Sequence, residues 1–269
     1  MVEKQKSDTA AKSSAYRERN STADKALDIL ALFTPDRLTV SAIDVAHELS
    51  VARSTAYRYL LTLGSAGYLE ENPSGGFRLG LKVFELARLA RASYGLSQLA
   101  LPTLHILAQQ TGETALLTKR SGNRAVCLEK EEPNDQRMRV SYERGSAMSL
   151  NAGASAWVLL AWEEPETVKR LLLENPLHGF TEATLTTEES VYERLSLIRS
   201  EGFAISRGEL DPDAIGIAAP VRDDQQRVVA GISLVAAIRR VPDSRVTELI
   251  EKVRTAADQV SELLALTMQ

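Results

Sequence analysis

One face of the segment from Ala52 to Ala66 carries side chains that could bind nucleic acid. The face combines guanidinium and hydroxyl groups, and no Asp or Glu occurs between Glu48 and Glu70. Such groups donate hydrogen bonds to base edges and phosphates in a major groove, whereas the phosphates repel a carboxylate. The residues of this segment expected to contact DNA are Arg53, Ser54, Thr55, Tyr57, Arg58 and Thr62.

The same sequence offers little for catalysis. The three histidines, His47, His105 and His178, have no spacing typical of metal ligands or of an acid–base pair. Gly153–Trp157 half matches a G-x-S-x-G nucleophile motif, but its second glycine is absent. Cys127 is the single cysteine, so no second cysteine could resolve a redox cycle. We therefore expect a protein that is not an enzyme and that needs neither metal nor cofactor.

The elements around the polar face predict a winged helix-turn-helix. A short amphipathic helix over Ser41–Glu48 is followed by a turn and by the helix that carries the polar face. Two short strands, Tyr68–Glu70 and Phe77–Leu79, flank a turn rich in Gly and Pro and predict the wing. Arg78 on the wing and Ser41 at the first helix are also expected at the DNA.

Helical periodicity also predicts which residues of this module face its core. A helix over Thr22–Phe33 is expected to turn its apolar side to the core, and so is the helix before the turn. The residues expected there are Ala26, Leu27, Leu30 and Phe33 on the first helix and Ile43, Val45, Ala46 and Leu49 on the second. A single amphipathic helix usually turns its polar face to water. The succession of helix, turn, acid-free helix and hairpin favours DNA binding instead.

Composition indicates a globular chain of two domains. It has 269 residues, 44% of them hydrophobic, and a net charge of −4, while residues 1–93 hold 13 Lys and Arg against 11 Asp and Glu. No apolar run approaches the roughly 20 residues that span a bilayer. Residues 1–20 are polar, lack the core of a secretory signal, and predict a disordered arm. With a single cysteine, these features predict a cytoplasmic protein with no membrane partner.

Beyond the wing the sequence pattern changes twice. Leu81–Arg91 is strongly amphipathic and predicts a helix that acts as a linker, a dimer contact or both. From Thr114 onward, strand-like and helical segments predict a mixed α/β domain with an antiparallel sheet. Strands are expected over 114–119, 124–129, 138–142, 203–206, 215–222 and 228–236, and helices over 96–111, 153–161, 165–174, 188–201 and 244–266.

These motifs, in this order, resemble those of the IclR (isocitrate lyase regulator) family of transcription factors from about residue 22 to 265. The resemblance implies an α/β (α+β) chain, with a winged helix-turn-helix before a GAF-like effector-binding domain whose six-stranded, mostly antiparallel sheet is flanked by helices. It also implies dimers that meet through their N-terminal domains and commonly form tetramers. The matching motifs are Lys25–Leu30, Ser54–Arg58, Gly67–Glu70, Phe77–Gly80, Met138–Ser141 with Gly145, Gly202–Ala204, Gly216–Val221 and Gly231–Ser233.

The sequence departs from the family pattern in three places. Leu61 stands where the family usually has a basic residue, so one contact to phosphate or base is missing. Ala156–Trp157 replaces a common Gly-Lys dipeptide, and Gly216 replaces a frequent cysteine. Both of these changes lie near the expected effector pocket and alter its polarity, which leaves the ligand class open.

A GAF-like pocket for a small acid needs hydrogen-bond donors for the carboxylate and apolar walls for the body of the ligand. The small residues over 145–155 open a helix, where free N–H groups favour an anion. They could equally serve close packing of that helix on the sheet. The residues expected to contact the effector are Met148, Leu150, Gly153, Ala154, Ser155, Glu209, Asp211, Ile217 and Ser233, with Trp157 as a further wall.

The sequence thus predicts a ligand-responsive transcriptional regulator that binds double-stranded operator DNA as a homodimer or tetramer. The family resemblance implies that the effector is a small organic acid or aromatic metabolite. The expected organisation is an arm over 1–20, a DNA-binding domain over 21–80, a linker helix over 81–95 and an effector-binding domain over 96–269. Two alternatives stay open: a constitutive regulator whose C-terminal domain only oligomerises, and a GAF-like enzyme.

Overall fold

The computed structural model describes residues 22–93, 95–134 and 142–267. The chain divides into two compact units, with the boundary after Ala90. The predicted arm and most of the predicted strand over 138–142 lie outside the described residues. Among the helices of the described ranges, none combines the length and the apolar character needed to cross a membrane.

The N-terminal unit consists of three helices and an antiparallel hairpin, which confirms the predicted helix-turn-helix. A buried apolar cluster that includes Ile29, Val40, Leu60 and Phe77 holds these elements together. The elements are α1 (Thr22–Ala31), α2 (Ala42–Glu48), α3 (Arg53–Ser65), β1 (Leu69–Glu71) and β2 (Phe77–Leu79).

Local capping explains where α2 and α3 begin and end. Ser41 and Asp44 form a capping box: the Asp44 N–H donates to the Ser41 hydroxyl at 3.2 Å, and the Ser41 N–H donates to the Asp44 carboxylate at 2.7 Å. Ser50, with φ 51°, turns the chain between the two helices. Gly67, with φ 79°, follows the end of α3 at Ser65.

Two core predictions in this unit are wrong. Leu27 is 64% exposed and Ile43 is 62% exposed. The other predicted residues of the two helices, Val45 included, lie in the core cluster or pack against it. Leu27 comes two positions before the buried Ile29, and Ile43 two positions before Val45, which places each about 200° away from that residue around the helix axis. The first helix also ends at Ala31, earlier than predicted.

The helix after the wing, α4 (Leu81–Ser93), contains the boundary between the two units. Its large apolar side chains are open to solvent, because Leu81, Phe84, Leu86 and Leu89 are all exposed. A row of exposed apolar side chains on one chain is typical of a surface that packs against another protein.

The C-terminal unit is a six-stranded antiparallel sheet with helices on both faces, which confirms the predicted fold class. The sequence pattern does not predict its short strand at 147–149, because three residues are too few to show a period of two. The elements are α5 (Gly95–Thr111), β3 (Thr114–Ser121), β4 (Arg124–Glu131), β5 (Ala147–Ser149), α6 (Ala154–Leu160), α7 (Pro165–Glu174), α8 (Glu188–Glu201), β6 (Ala204–Arg207), β7 (Ala214–Arg222), β8 (Val228–Ala237), a 3-10 turn (Ile238–Arg240) and α9 (Asp243–Thr267).

The strand order is β5-β4-β3-β8-β7-β6. Helices α5 and α9 cover one face of the sheet, while α6, α7 and α8 cover the other. Side chains along a strand point to alternate faces. On β7, Ile215 and Ile217 therefore pack with α5 and α9, whereas Ala218 packs with the cluster around α6.

One glycine sets how closely α6 approaches the sheet. A Cβ atom at Gly231, on β8, would lie 2.6 Å from Cγ1 of Val158 on α6. Val158 is completely buried, so its side chain has no free space to move into. Only a residue without a side chain permits this contact.

We expect Gly231→Ala to destabilise the C-terminal unit by about 1–3 kcal/mol, because extra methyl groups in a filled core force its elements apart. In a Val158→Ala background, which removes the conflicting methyl group, the same change should cost less. Urea denaturation of the full chain measures the loss in free energy of unfolding that Gly231→Ala causes in each background. Strictly additive effects of the two changes would contradict the contact.

Candidate functional site

The structure places the predicted DNA-binding residues of α3 on the side opposite its buried core stripe. Their backbone is regular, and the Thr62 hydroxyl donates to the Arg58 carbonyl at 2.9 Å. The guanidinium groups of Arg53 and Arg58 supply the positive charge of this face. Arg53, Ser54, Tyr57, Arg58 and Thr62 are exposed, and Thr55 is half-buried.

Tyr57 joins α3 to the wing. Its ring lies 6.2 Å from the ring of Phe77, measured between centroids, in an edge-on arrangement at 67°. Phe77 is buried and holds one side of the Tyr57 ring, which stays 45% exposed. The contact therefore fixes an aromatic side chain at the edge of the polar face.

Arg78 and Ser41 are placed differently. Arg78 is exposed on β2, and its Nη2 donates to Glu70 Oε2 across the hairpin at 3.1 Å. A surface ion pair of this kind contributes at most about 1 kcal/mol, so a phosphate could replace Glu70. The Ser41 hydroxyl donates to Asp44 at 2.8 Å, and the Ser41 N–H and hydroxyl lower the pKa of Asp44. Ser41 thus positions α2 in this structure, and its contact with DNA stays a prediction.

The C-terminal unit contains a cavity of about 210 Å³ between β7, β8, the start of α6 and the chain after β6. Six of the predicted effector residues line it, and they come from three separate segments. Its apolar wall includes Val235 and its polar wall includes Ser206. The predicted residues at the cavity are Met148, Gly153, Ala154, Ser155, Glu209 and Asp211.

Glu209 is the most constrained residue of the cavity. It is only 2% exposed, and its carboxylate has three donors. The Gly153 N–H and the Trp157 indole N–H donate to Oε2 at 2.9 and 2.6 Å, and Arg194 donates to Oε1 at 3.0 Å. The Arg194 guanidinium also lies 5.9 Å from the Trp157 ring centroid. The carboxylate therefore joins α6, α8 and the chain after β6.

A second set of hydrogen bonds fastens the chain after β6. The Thr181 hydroxyl donates to the Gly208 carbonyl, and the Thr184 hydroxyl donates to the Glu209 carbonyl, each at 2.6 Å. On the other side of the cavity, the Asn151 amide donates to the His178 carbonyl at 2.9 Å. The loop between α7 and α8 thus braces two walls of the cavity at once.

Three predicted effector residues do not line the cavity. Ile217 packs on the opposite face of the sheet, because it is one residue out of phase with Gly216, which does line the cavity. Leu150 packs in the core cluster around α6. The Ser233 hydroxyl is fully buried and lies 2.8 Å from the Ser155 hydroxyl, behind the cavity wall. Trp157 is also fully buried and acts only through Glu209.

Sequence reasoning missed several residues of the cavity. Tyr142 is the most informative, because burial and the nearby charge of Asp211 raise the pKa of its phenol to about 12. The phenol therefore stays protonated and can donate a hydrogen bond at neutral pH. The alternation of side chains along β7 could have identified Ala214 as a cavity residue, because it faces the same side of the sheet as Gly216. The missed residues are Tyr142, Ala152, Ser206, Leu210, Ala214 and Val235.

Metal binding and thiol chemistry find little support in the part of the chain that the structure describes. Within it, no group of three or more His, Cys, Asp or Glu side chains could hold a metal ion. Burial raises the pKa of the Cys127 thiol to about 12, so the thiol stays protonated and unreactive. Its Sγ donates to the Glu129 carbonyl at 3.4 Å, inside the core cluster on the α6 side of the sheet.

Comparison with known proteins identifies both units as domains of one family. The family model "IclR helix-turn-helix domain" matches residues 22–73, and "Bacterial transcriptional regulator IclR C-terminal" matches residues 90–262. The regulator XynR of Escherichia coli is 30% identical over 245 residues, which cover 90% of this chain and 96% of XynR. The regulator BhcR of Paracoccus denitrificans is 33% identical over 240 residues, covering 88% and 85%.

Solved structures are similar over the same length. An IclR-type regulator from Alicyclobacillus acidocaldarius is 27% identical with a TM-score of 0.79, covering 90% of this chain and 97% of that one. An IclR homologue from Microbacterium hydrocarbonoxydans, complexed with 4-hydroxybenzoate, is 26% identical with a TM-score of 0.78, covering 91% and 100%. This chain therefore belongs to the IclR family of transcriptional regulators, as a DNA-binding regulator rather than an enzyme.

Proposed function

We propose that α3 reads an operator in the major groove while the cavity of the C-terminal unit senses a small organic acid or aromatic compound. The observation that carries the proposal is the cavity, which is lined by residues of α6, β7, β8 and the chain after β6. A regulator that only oligomerises through this domain would have no use for it. We assign DNA binding to residues 21–80, linkage to 81–95 and sensing to 96–269.

The charge of α3 supports its place in the major groove. Its exposed face carries Arg53 and Arg58 and no carboxylate, although the whole chain has a net charge of −4. Attraction to DNA is therefore concentrated where the helix would meet the phosphates. Arg78 on the wing would hold the neighbouring backbone, and Ser54 and Thr55 would bond to base edges.

The walls of the cavity support a small ligand with one polar end. Its volume of about 210 Å³ lies below the roughly 300–1,000 Å³ of pockets that accept drug-sized molecules. Met148 and Val235 offer apolar surface, whereas the protonated Tyr142 phenol and the Ser206 hydroxyl offer hydrogen bonds. The relative that is complexed with 4-hydroxybenzoate supports a compound of that size and class.

The linker helix α4 would transmit the signal. It begins two residues after β2 and contains the boundary between the units, so it can convert a change in one unit into a change of spacing between two winged helices. Its exposed Phe84 and Leu89 would pack against a second copy in a dimer, which tetramers would repeat. We place this regulator in the cytoplasm, where its operator is.

We expect Arg58→Ala to weaken specific operator binding by about 1–3 kcal/mol if the guanidinium bonds to a base, because the base edge loses its donor. Binding titrations at two salt concentrations measure the change. Arg254→Ala removes an exposed guanidinium of α9, in the other unit, and is the matched control that should bind normally. An unchanged affinity of Arg58→Ala would remove this residue from the interface.

We expect a ligand of the cavity to raise the melting temperature of the full chain, because binding to the folded state alone stabilises it by about 2.7 kcal/mol at 100 times the Kd. The screen would contain 4-hydroxybenzoate, other phenolic acids and small aliphatic acids. A true ligand should also shift operator affinity in titrations with DNA.

The variant Ala214→Phe locates the binding. It fills the cavity from the half-buried start of β7 and should abolish the ligand-induced shift. Ile106→Phe adds a comparable ring at an exposed position on α5 and should leave the shift intact. A screen in which no compound stabilises the wild type would favour a domain that only oligomerises.

A further inference from the structure

Leu61 lies within the polar face of α3 and is 44% exposed. It comes three and four residues after Arg58 and Tyr57 and seven after Ser54, so these side chains share one side of the helix. From Ser54 to Leu61 the helix rises about 10.5 Å, which fits within the roughly 12 Å width of a major groove. A helix that brings Ser54 and Arg58 to base edges therefore brings Leu61 into the same groove.

A leucine restricts what can lie opposite it. Its side chain neither donates nor accepts hydrogen bonds, so a base amino or carbonyl group buried against it would be left without a partner, at a cost in free energy. The apolar group that an unmodified base pair presents in the major groove is the C5-methyl of thymine. Among unmodified bases, thymine is therefore the base whose groove edge matches Leu61.

The ring of Tyr57 extends the apolar surface that Leu61 provides. Tyr57 is one helical turn before Leu61, is exposed to a similar extent, and is held on one side by Phe77. Arg58 lies on the other side of Leu61 from Tyr57, and along α3 it is the charged residue nearest to Leu61. The Leu61 side chain and the Tyr57 ring together form a surface wide enough to cover a methyl group.

We infer that Leu61 is a specificity-determining residue that packs against the C5-methyl group of a thymine in each operator half-site. This inference rests on the proposed function, because it requires α3 in the major groove. Leu61 releases no counterion on binding, so its contribution is independent of salt, unlike that of a cation at the same position.

The experiment uses a duplex that the full-length protein selects from a randomised pool. Each thymine of that duplex is replaced in turn by deoxyuridine, which removes only the C5-methyl group. We expect one thymine in each half-site at which this replacement weakens binding about fourfold, the effect of one buried methyl group. In Leu61→Ala, the unmodified duplex should bind more weakly and deoxyuridine at that position should have no further effect.

Two further variants make the result specific to Leu61. Leu61→Lys should also lose the sensitivity to deoxyuridine, while the slope of log affinity against log salt steepens by about one per protomer. Leu173→Ala removes another exposed leucine, on α7 in the C-terminal unit, and should keep the wild-type sensitivity.

Three results would overturn the inference. Deoxyuridine could be neutral at every position in the wild type, or its penalty could persist unchanged in Leu61→Ala. If the protein still selects a duplex, either result contradicts the thymine contact but not DNA binding by α3. A protein that enriches no duplex would instead overturn the DNA-binding function, and the thymine contact with it.

Discussion

The buried carboxylate of Glu209 is the constraint on which the geometry of the sensor unit depends. An ionised carboxylate that is 2% exposed is costly unless it is paired and fully hydrogen-bonded. Glu209 meets this requirement with donors from Gly153, Trp157 and Arg194. Those donors belong to the start of α6, its second turn and α8, so the charge is stable only when all three are in place. The wall of the cavity is therefore held as one unit, and a ligand meets a preformed surface.

The same interaction changes how an acidic ligand could bind. The Gly153 N–H, which sequence reasoning assigned to a ligand carboxylate, is bound by the protein's own Glu209. An acidic ligand would need other donors, and the protonated phenol of Tyr142 is one of them. The Arg194 guanidinium already neutralises Glu209, and among the described residues that line the cavity the other charged one is Asp211.

Local signals predicted most of the fold, and tertiary contacts decided the rest. The bounds of α7 and α8 agree with the sequence, because Pro165 begins one helix and a Thr187 cap and Gly202 delimit the other. Periodicity located the core-facing side of the first two helices but not its limits, hence the errors at Leu27 and Ile43. Long-range partners were equally hidden: 52 residues separate Glu209 from Trp157 in the chain. The cavity-lining residues of the small-residue segment could be named from residue type, and alternation along β7 could have excluded Ile217, which is out of phase with Gly216.

The two units make different electrostatic contributions to regulation. The exposed polar side of α3 carries two cations, Arg53 and Arg58, with Leu61 among them, while the whole chain has a net charge of −4. If α3 docks in the major groove as proposed, it would neutralise few phosphates, and base contacts would supply a larger share of its affinity for DNA. A coupling free energy of about 1–3 kcal/mol between ligand and DNA changes affinity by about 5- to 150-fold. When specific contacts dominate, a change of that size is enough to release the operator, since little non-specific attraction remains to retain the protein. In the proposed function, direct reading of bases and control by a small ligand would therefore both depend on the small number of cations on α3.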